Sequence, residues 1–179
     1  VKPYQPDGYW ENLNFPTRDY IPDTGESQYR RGLYTWWQRS FLHPSLLAFD
    51  APSREECTAE RNRSNLPQQS LILLNDPTYV EAARAFAQRA LHQSGDDAAR
   101  LRWAFAEATS RQPKAAELGV LLAALKRERQ HYNAKPQAAA QALRVGESPR
   151  DGKLPAIEHA AWMQVAALIL NLSESVTRN

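Results

Sequence analysis

Residues 75–95, NDPTYVEAARAFAQRALHQSG, decide how the chain folds. Asp76 places a carboxylate where it can accept the unpaired N–H groups of a first helical turn, and Pro77 brings a preset φ to the first helical position. Beyond that start, Ala83, Phe86, Ala87, Ala90 and Leu91 recur at three- and four-residue steps and share one helix face. Gly95 marks the predicted stop. A helix with one apolar face needs partners, and the downstream sequence supplies them.

A short helix is predicted around Leu101, Trp103, Ala104 and Phe105. Pro113 opens a longer one, with Leu118, Leu121, Leu122, Leu125 and Tyr132 inward and KRER (126–129) on the wet face. Pro136 marks a break before PQAAAQAL (136–143), which is rich in helix formers. The Gly, Pro and Asp content of GESPRDGKLP (146–155) predicts a loop. Pro155 then opens a last helix with Ile157, Trp162, Val165, Ala166, Ile169 and Leu172 inward. No internal repeat is present, which argues against a solenoid.

The first part of the chain has a different composition. Eleven of the 17 aromatic residues lie between Tyr4 and Phe49. Prolines at 3, 6, 16 and 22 remove backbone donors, so long regular elements are not expected before about residue 27. PDGYWENL (6–13) reads as a short helix with Pro6 in its first turn, and SQYRRGLYTWWQRSF (27–41) as a helix or a strand. The expected architecture is mainly α: a helical bundle wrapped by an aromatic- and Pro-rich irregular N-terminal arm. Residues 1–65 are read as arm and junction and 66–179 as bundle, within one domain spanning 1–179.

Bulk properties narrow the function classes. A net charge of +2 is too small to create the field that indiscriminate phosphate binding needs, so nucleic acid is not an expected partner. Arginine far outnumbers lysine, which favours forked pairing with carboxylates. One cysteine excludes a disulfide scaffold and a haem attached through CxxCH. The longest apolar run, AAWMQVAALILNL, is too short to span a bilayer. The start, VKPYQPDGYW, has no signal-peptide pattern and reads as the interior of a longer chain.

Several stretches carry candidate chemistry. FDAPSREECTAERNRSN (49–65) gathers Asp50, Glu55, Glu56, Glu60, Arg54, Arg61, Arg63 and Cys57. Asp50, Glu55 and Glu60 are the candidate catalytic acids or bases, since glycoside cleavage uses two carboxylates across a sugar. The competing reading makes Arg54, Cys57, Arg61, Arg63 and Asn65 a structural network that pins arm to bundle, with Cys57 a buried, inert thiol, because the neighbouring acids discourage a thiolate. Trp36 and Trp37 beside Arg30 and Arg31 form a candidate ligand platform, rings stacking on sugar or cation and guanidinium groups forking to anions. Against this, one tryptophan of the pair fills a core and the other sits at its edge.

In RDYIPDTGE (18–26), Asp19, Asp23 and Glu26 are candidate oxygen ligands for a cation, without EF-hand spacing. DTG (23–25) reads as a turn, because a single copy cannot form a shared-proton carboxylate dyad. His43, His92, His131 and His159 stand at no metal-binding spacing, and His43, before Pro44, suits a structural hydrogen bond. GxSxG, GxGxxG and GxxxxGK[ST] are all absent, so no complete catalytic motif is found.

Taken together, residues 4–83 (YQPDGYWENLNFPTRDYIPDTGESQYRRGLYTWWQRSFLHPSLLAFDAPSREECTAERNRSNLPQQSLILLNDPTYVEAA), VGESPR (145–150) and AAWMQVAALILNLSES (160–175) carry a family resemblance. The chain resembles the C-terminal domain of unknown function of large planctomycete proteins, many with a cytochrome-c-like region near their start. That resemblance implies the end of an exported, multidomain protein in an extracytoplasmic setting, with a redox or polysaccharide link. It implies no cofactor in this chain, haem being carried elsewhere in the parent protein. Upstream domains of the parent, or another chain of the same complex, are the implied partners, with polysaccharide as a further one. The expected function is a non-catalytic assembly or binding module; the alternative is part of a polysaccharide-active enzyme or a carbohydrate-binding domain.

Overall fold

The computed structural model describes residues 1–11, 19–38, 41–53, 55–60, 62 and 64–176. The protein is mainly helical, as the periodicity predicts, and among the described residues its only β pairing is an isolated bridge between Gln38 and Phe41. It divides into two compact units, Val1–Ile72 and Leu73–Asn179.

The N-terminal unit is held by short elements and cross-links. Two short 3-10 helices, Gly25–Tyr29 and Gly32–Tyr34, stand where a long helix or strand was the expectation. Gly25 begins the first with φ +68, and Arg30 and Arg31 are extended, so regular structure cannot propagate across the interval. PDGY is likewise a pair of turns, Tyr9 N donating to Pro6 O and Glu11 N to Gly8 O, with Gly8 at φ +77 breaking any helix; Asn12 and Leu13 lie outside the described residues. Helix α1, Pro44–Ala48, starts at His43, whose Nδ1 accepts from Ser45 N (3.3 Å) while Nε2 donates to Tyr4 O (2.9 Å).

The first residues are stitched to distant segments. Lys2 N donates to Asp23 Oδ2 and Asp23 N to Lys2 O, at 2.9 and 2.8 Å, and Tyr20 Oη donates to Pro3 O at 2.6 Å. Around this frame the rings cluster. Trp10 stacks on Tyr20 (5.5 Å between centroids, 15° between planes) and meets Trp36 and Phe41 at 5.7 and 4.8 Å. In a unit with so little regular structure, large rings of this kind are an effective source of buried apolar area.

Helix α2, Pro67–Asn75, contains the division between the units and buries none of its residues. In the C-terminal unit, α3 (Pro77–Leu91) begins as predicted: Asp76 Oδ1 accepts from Thr78 N at 2.9 Å and Pro77 sits in the first turn. Its predicted face is buried at all five positions. Next come α4 (Asp97–Thr109), α5 (Ala115–Ala134), α6 (Pro136–Ala142), α7 (Ala156–Leu170) and α8 (Ser173–Val176). Helix α7 is the hub, packing on α3, α5 and α6 and more lightly on α4 and α8. Its sequence explains the position: Ala160, Ala161, Trp162, Met163, Val165, Ala166 and Ile169 are buried over most of its circumference, and Gln164, Ala167 and Leu168 mark the less covered side.

Leu172 departs from the expected pattern. Helix α7 ends at Leu170 with Asn171 as its C-cap, the chain turns into α8, and Leu172 is exposed. The 3.6-residue stripe cannot extend past the end of the helix that generates it.

Charged side chains clamp this unit. Arg129, on α5, forks to Asp97 at the start of α4 and to Glu158 on α7, and Glu158 also accepts from Trp162 Nε1 at 2.8 Å. The Arg129 hydrogen bond holds Asp97 below the usual carboxylate range. Arg111 grips Glu117 and Glu174 in the same way and lies 4.8 Å from the Phe105 ring. Its fork, helped by the Lys114 N–H, brings Glu117 down to about 2. Among the described residues no helix is long and apolar enough to cross a membrane.

Candidate functional site

The predicted site residues are dispersed among local structural tasks. Asp50 adopts φ +56, and its Oδ2 accepts from both Ser64 N and Ser64 Oγ at 2.7 Å. Gln69 Nε2 backs this clasp by donating to Ala48 O (2.9 Å) and Ser64 O (3.2 Å). The 50–64 stretch is therefore a loop closed at its neck by a carboxylate. Glu55, Glu56, Glu60, Asn62 and Asn65 are exposed, while Arg54, Arg61 and Arg63 lie outside the described residues. Cys57 is exposed, contrary to the expected burial, because the loop's apolar side chains, Ala51, Pro52 and Ala59, are small and none of them is buried.

Asp23 is occupied with Lys2 N, whereas Asp19 and Glu26 are exposed. Among the described residues no group of three His, Cys, Asp or Glu side chains is placed to hold a metal ion. Arg30 and Arg31 are exposed, and Trp36 and Trp37 are both half-buried. Trp36 carries Lys2 Nζ 5.1 Å from its ring centre; Arg39 lies outside the described residues. Neither member of the tryptophan pair fills the core of this unit. Trp10 does, with 9% of its surface exposed.

A pocket opens beside Trp10. It is a half-open recess of about 500 Å³, within the roughly 300–1,000 Å³ of small-molecule sites. Tyr4, Tyr9, Trp10 and Tyr20 line it with rings, and Asp7, Glu11 and Asp19 bring carboxylates that are exposed. Gln5 completes the lining. Trp10 Nε1 donates to Gln5 Oε1; since an indole N–H can only donate, the Gln5 oxygen must face it and the amide NH2 must face away. Glu11 folds back over Gly8, where an added Cβ would lie 3.4 Å from the carboxyl carbon. Burial and the Asp23 charge push the Tyr20 phenol upward, so it remains a neutral donor to Pro3 O. Periodicity could not reveal this pocket. Its one sequence signal is an aromatic and acidic density in YQPDGYWE (4–11) that exceeds what a turn needs.

A second polar constellation lies inside the C-terminal unit. Arg84 on α3 is 2% exposed and donates from Nε to Val145 O (3.1 Å) and from Nη2 to Ser148 O (2.6 Å). Glu81, one turn earlier and also buried, lies 3.4 Å from Arg84 Nη2 and accepts from Ser148 N. His159 on α7 is completely buried, with Nε2 donating to Arg84 O at 3.0 Å and Nδ1 without a hydrogen-bond partner among the described residues. Together these groups fasten the VGES turn to α3 and α7.

Burial lowers the His159 pKa, outweighing the hydrogen bond to Arg84 O; Arg84 and Arg150 add to the lowering and Asp151 opposes it. The folded chain thus keeps His159 neutral at a pH where the unfolded chain, at about 6.5, already takes up a proton. Stability from this group is complete above that value and falls as pH drops below it, by up to about 1.4 kcal/mol per pH unit. Urea unfolding at pH 7 and pH 5 should show a smaller loss for His159→Gln, whose amide can still donate to Arg84 O. Parallel losses in both proteins would remove His159 as the cause.

The chain is mainly helical, with an arginine clamp inside its C-terminal unit and an aromatic pocket in its N-terminal unit. Residues 1–125 match the family model described as "PSD1: Protein of unknown function (DUF1553)", and the chain belongs to that family. No curated protein and no solved structure matches it.

Proposed function

We propose that the chain is a non-catalytic binding module of a larger, exported protein of the planctomycete type, with the Trp10 pocket as its ligand-bearing surface. The pocket carries the reading, because it joins ring surface, exposed carboxylates and an amide donor turned away from Trp10 in a space of ligand size. The strongest ion pairs elsewhere serve the fold: Arg84 fastens a turn, and Arg111 and Arg129 tie helices together. Asp50, the best placed of the acids in 49–65, closes a loop.

The multidomain, extracytoplasmic setting, with upstream domains as partners and haem carried elsewhere in the parent for a redox role, follows from the family resemblance. Incubating the chain with soluble and insoluble polysaccharides and assaying reducing ends tests the non-catalytic reading. No turnover is expected. Turnover lost in Asp50→Asn or Glu55→Gln, with circular dichroism unchanged, would overturn it in favour of the enzyme alternative.

A further inference from the structure

We infer that the Trp10 pocket takes a saccharide without negative charge, either neutral or amine-bearing; this deepens the binding-module reading and rests on it. Three features of the lining point to that class. The rings of Tyr4, Tyr9 and Tyr20 beside Trp10 offer apolar surface suited to the C–H face of a pyranose. Asp7, Glu11 and Asp19 are exposed around the same space and can only accept hydrogen bonds when ionised, which suits hydroxyl or ammonium donors.

The third feature is Gln5. It is 6% exposed, its oxygen is committed to Trp10, and among the described residues its NH2 has no hydrogen-bond partner. The Gln5 nitrogen is still reached by water, so a ligand that displaces this water must offer an acceptor in its place. A simple organic cation would satisfy the rings and the acids but not this amide. A sugar hydroxyl satisfies all three, since it donates to a carboxylate and accepts from an amide.

Charge sets the selectivity. Among the described lining residues there is no lysine, arginine or histidine, while three carry carboxylates. A uronic acid would meet like charge there, whereas a glucosamine amine would meet attraction.

The test is a titration of the full chain by tryptophan fluorescence and calorimetry. Its probes are neutral oligomers of glucose, mannose and xylose, a glucosamine oligomer, a galacturonic acid oligomer and tetramethylammonium. At least one neutral or amine-bearing oligomer should bind at millimolar concentration, and the galacturonic acid oligomer should bind at least about tenfold more weakly. Glu11→Gln and Asp19→Asn should each weaken saccharide binding about tenfold, as expected on losing a charged acceptor. Tyr4→Ala should weaken it similarly by removing stacking surface while leaving the buried Trp10 in place.

Trp10→Ala, which removes the centre of the ring cluster, is informative only where circular dichroism shows it folded, so the conclusion rests on the other three variants. Three results would each overturn the inference: no neutral or amine-bearing oligomer binds the folded chain, tetramethylammonium or the uronate binds best, or binding is unchanged in all three variants. Polysaccharide turnover would instead strike at the module reading and leave the location of the sugar seat intact.

Discussion

Replacing Arg84 with Met lowers the stability of the C-terminal unit by about 3 kcal/mol or more, the order found when one member of a buried ion pair is removed. Arg84 is 2% exposed and does three things at once. It faces the buried Glu81 carboxylate, and it donates to the carbonyls of Val145 and Ser148, which lie in an irregular segment without helical partners. Methionine fills a similar length of space, so the loss reports the polar contacts rather than a cavity. Two carbonyls lose their donor, and Glu81 keeps the Ser148 N–H but no adjacent guanidinium.

Arg84→Lys separates charge from geometry. A lysine retains the positive charge but cannot reproduce the guanidinium fork, so an intermediate loss is expected. Thermal unfolding followed at the helical circular dichroism band should show a fall of more than roughly 10 °C for Arg84→Met. A loss below about 1 kcal/mol in urea would mean that the Val145 and Ser148 carbonyls find other donors, and the clamp would not be what holds the turn.

The contrast between what sequence reveals and what it hides follows from the range of the interactions. Helix α3 was readable because its signals are local: Asp76 caps a neighbour two residues away, and the apolar face repeats within the helix. Helix α7 was readable because Pro155 marks its start and Ile157, Trp162, Val165, Ala166 and Ile169 recur at helical spacing. The Glu81–Arg84 pair was not read from the sequence, since its loop partners lie more than 60 residues away. One clue existed: Arg84 stands three residues before Ala87 and seven before Leu91, in line with the buried stripe.

The N-terminal unit shows the same limit more strongly. Its aromatic excess was plain, but the stitches from Lys2 to Asp23, Pro3 to Tyr20 and Tyr4 to His43 obey no period. The adjacent tryptophans at 36 and 37 drew attention as a doublet, while the ring at the centre of the cluster is Trp10. Its selection depends on Gln5, Tyr20 and Phe41 converging from three separate segments.

Gly146→Ala should cost about 3 kcal/mol, although sequence marks this residue only as part of a loop. Two effects combine. Gly146 has φ +83, a left-handed conformation that costs an L-residue about 1–2 kcal/mol. An added Cβ would also fall 2.0 Å from Glu81 Cδ, so the carboxylate would have to move. Glu81 is 4% exposed and tied to Ser148 N and Arg84, so moving it breaks the bonds that fasten the turn. Gly152→Ala in the same loop is the control, because nothing lies within 4 Å of its added Cβ. A double-mutant cycle isolates the clash: in a Glu81→Ala background, Gly146→Ala should cost only the backbone share of about 1–2 kcal/mol. An equal cost in both backgrounds would show that conformation alone demands glycine here, and that the close approach of Glu81 contributes nothing.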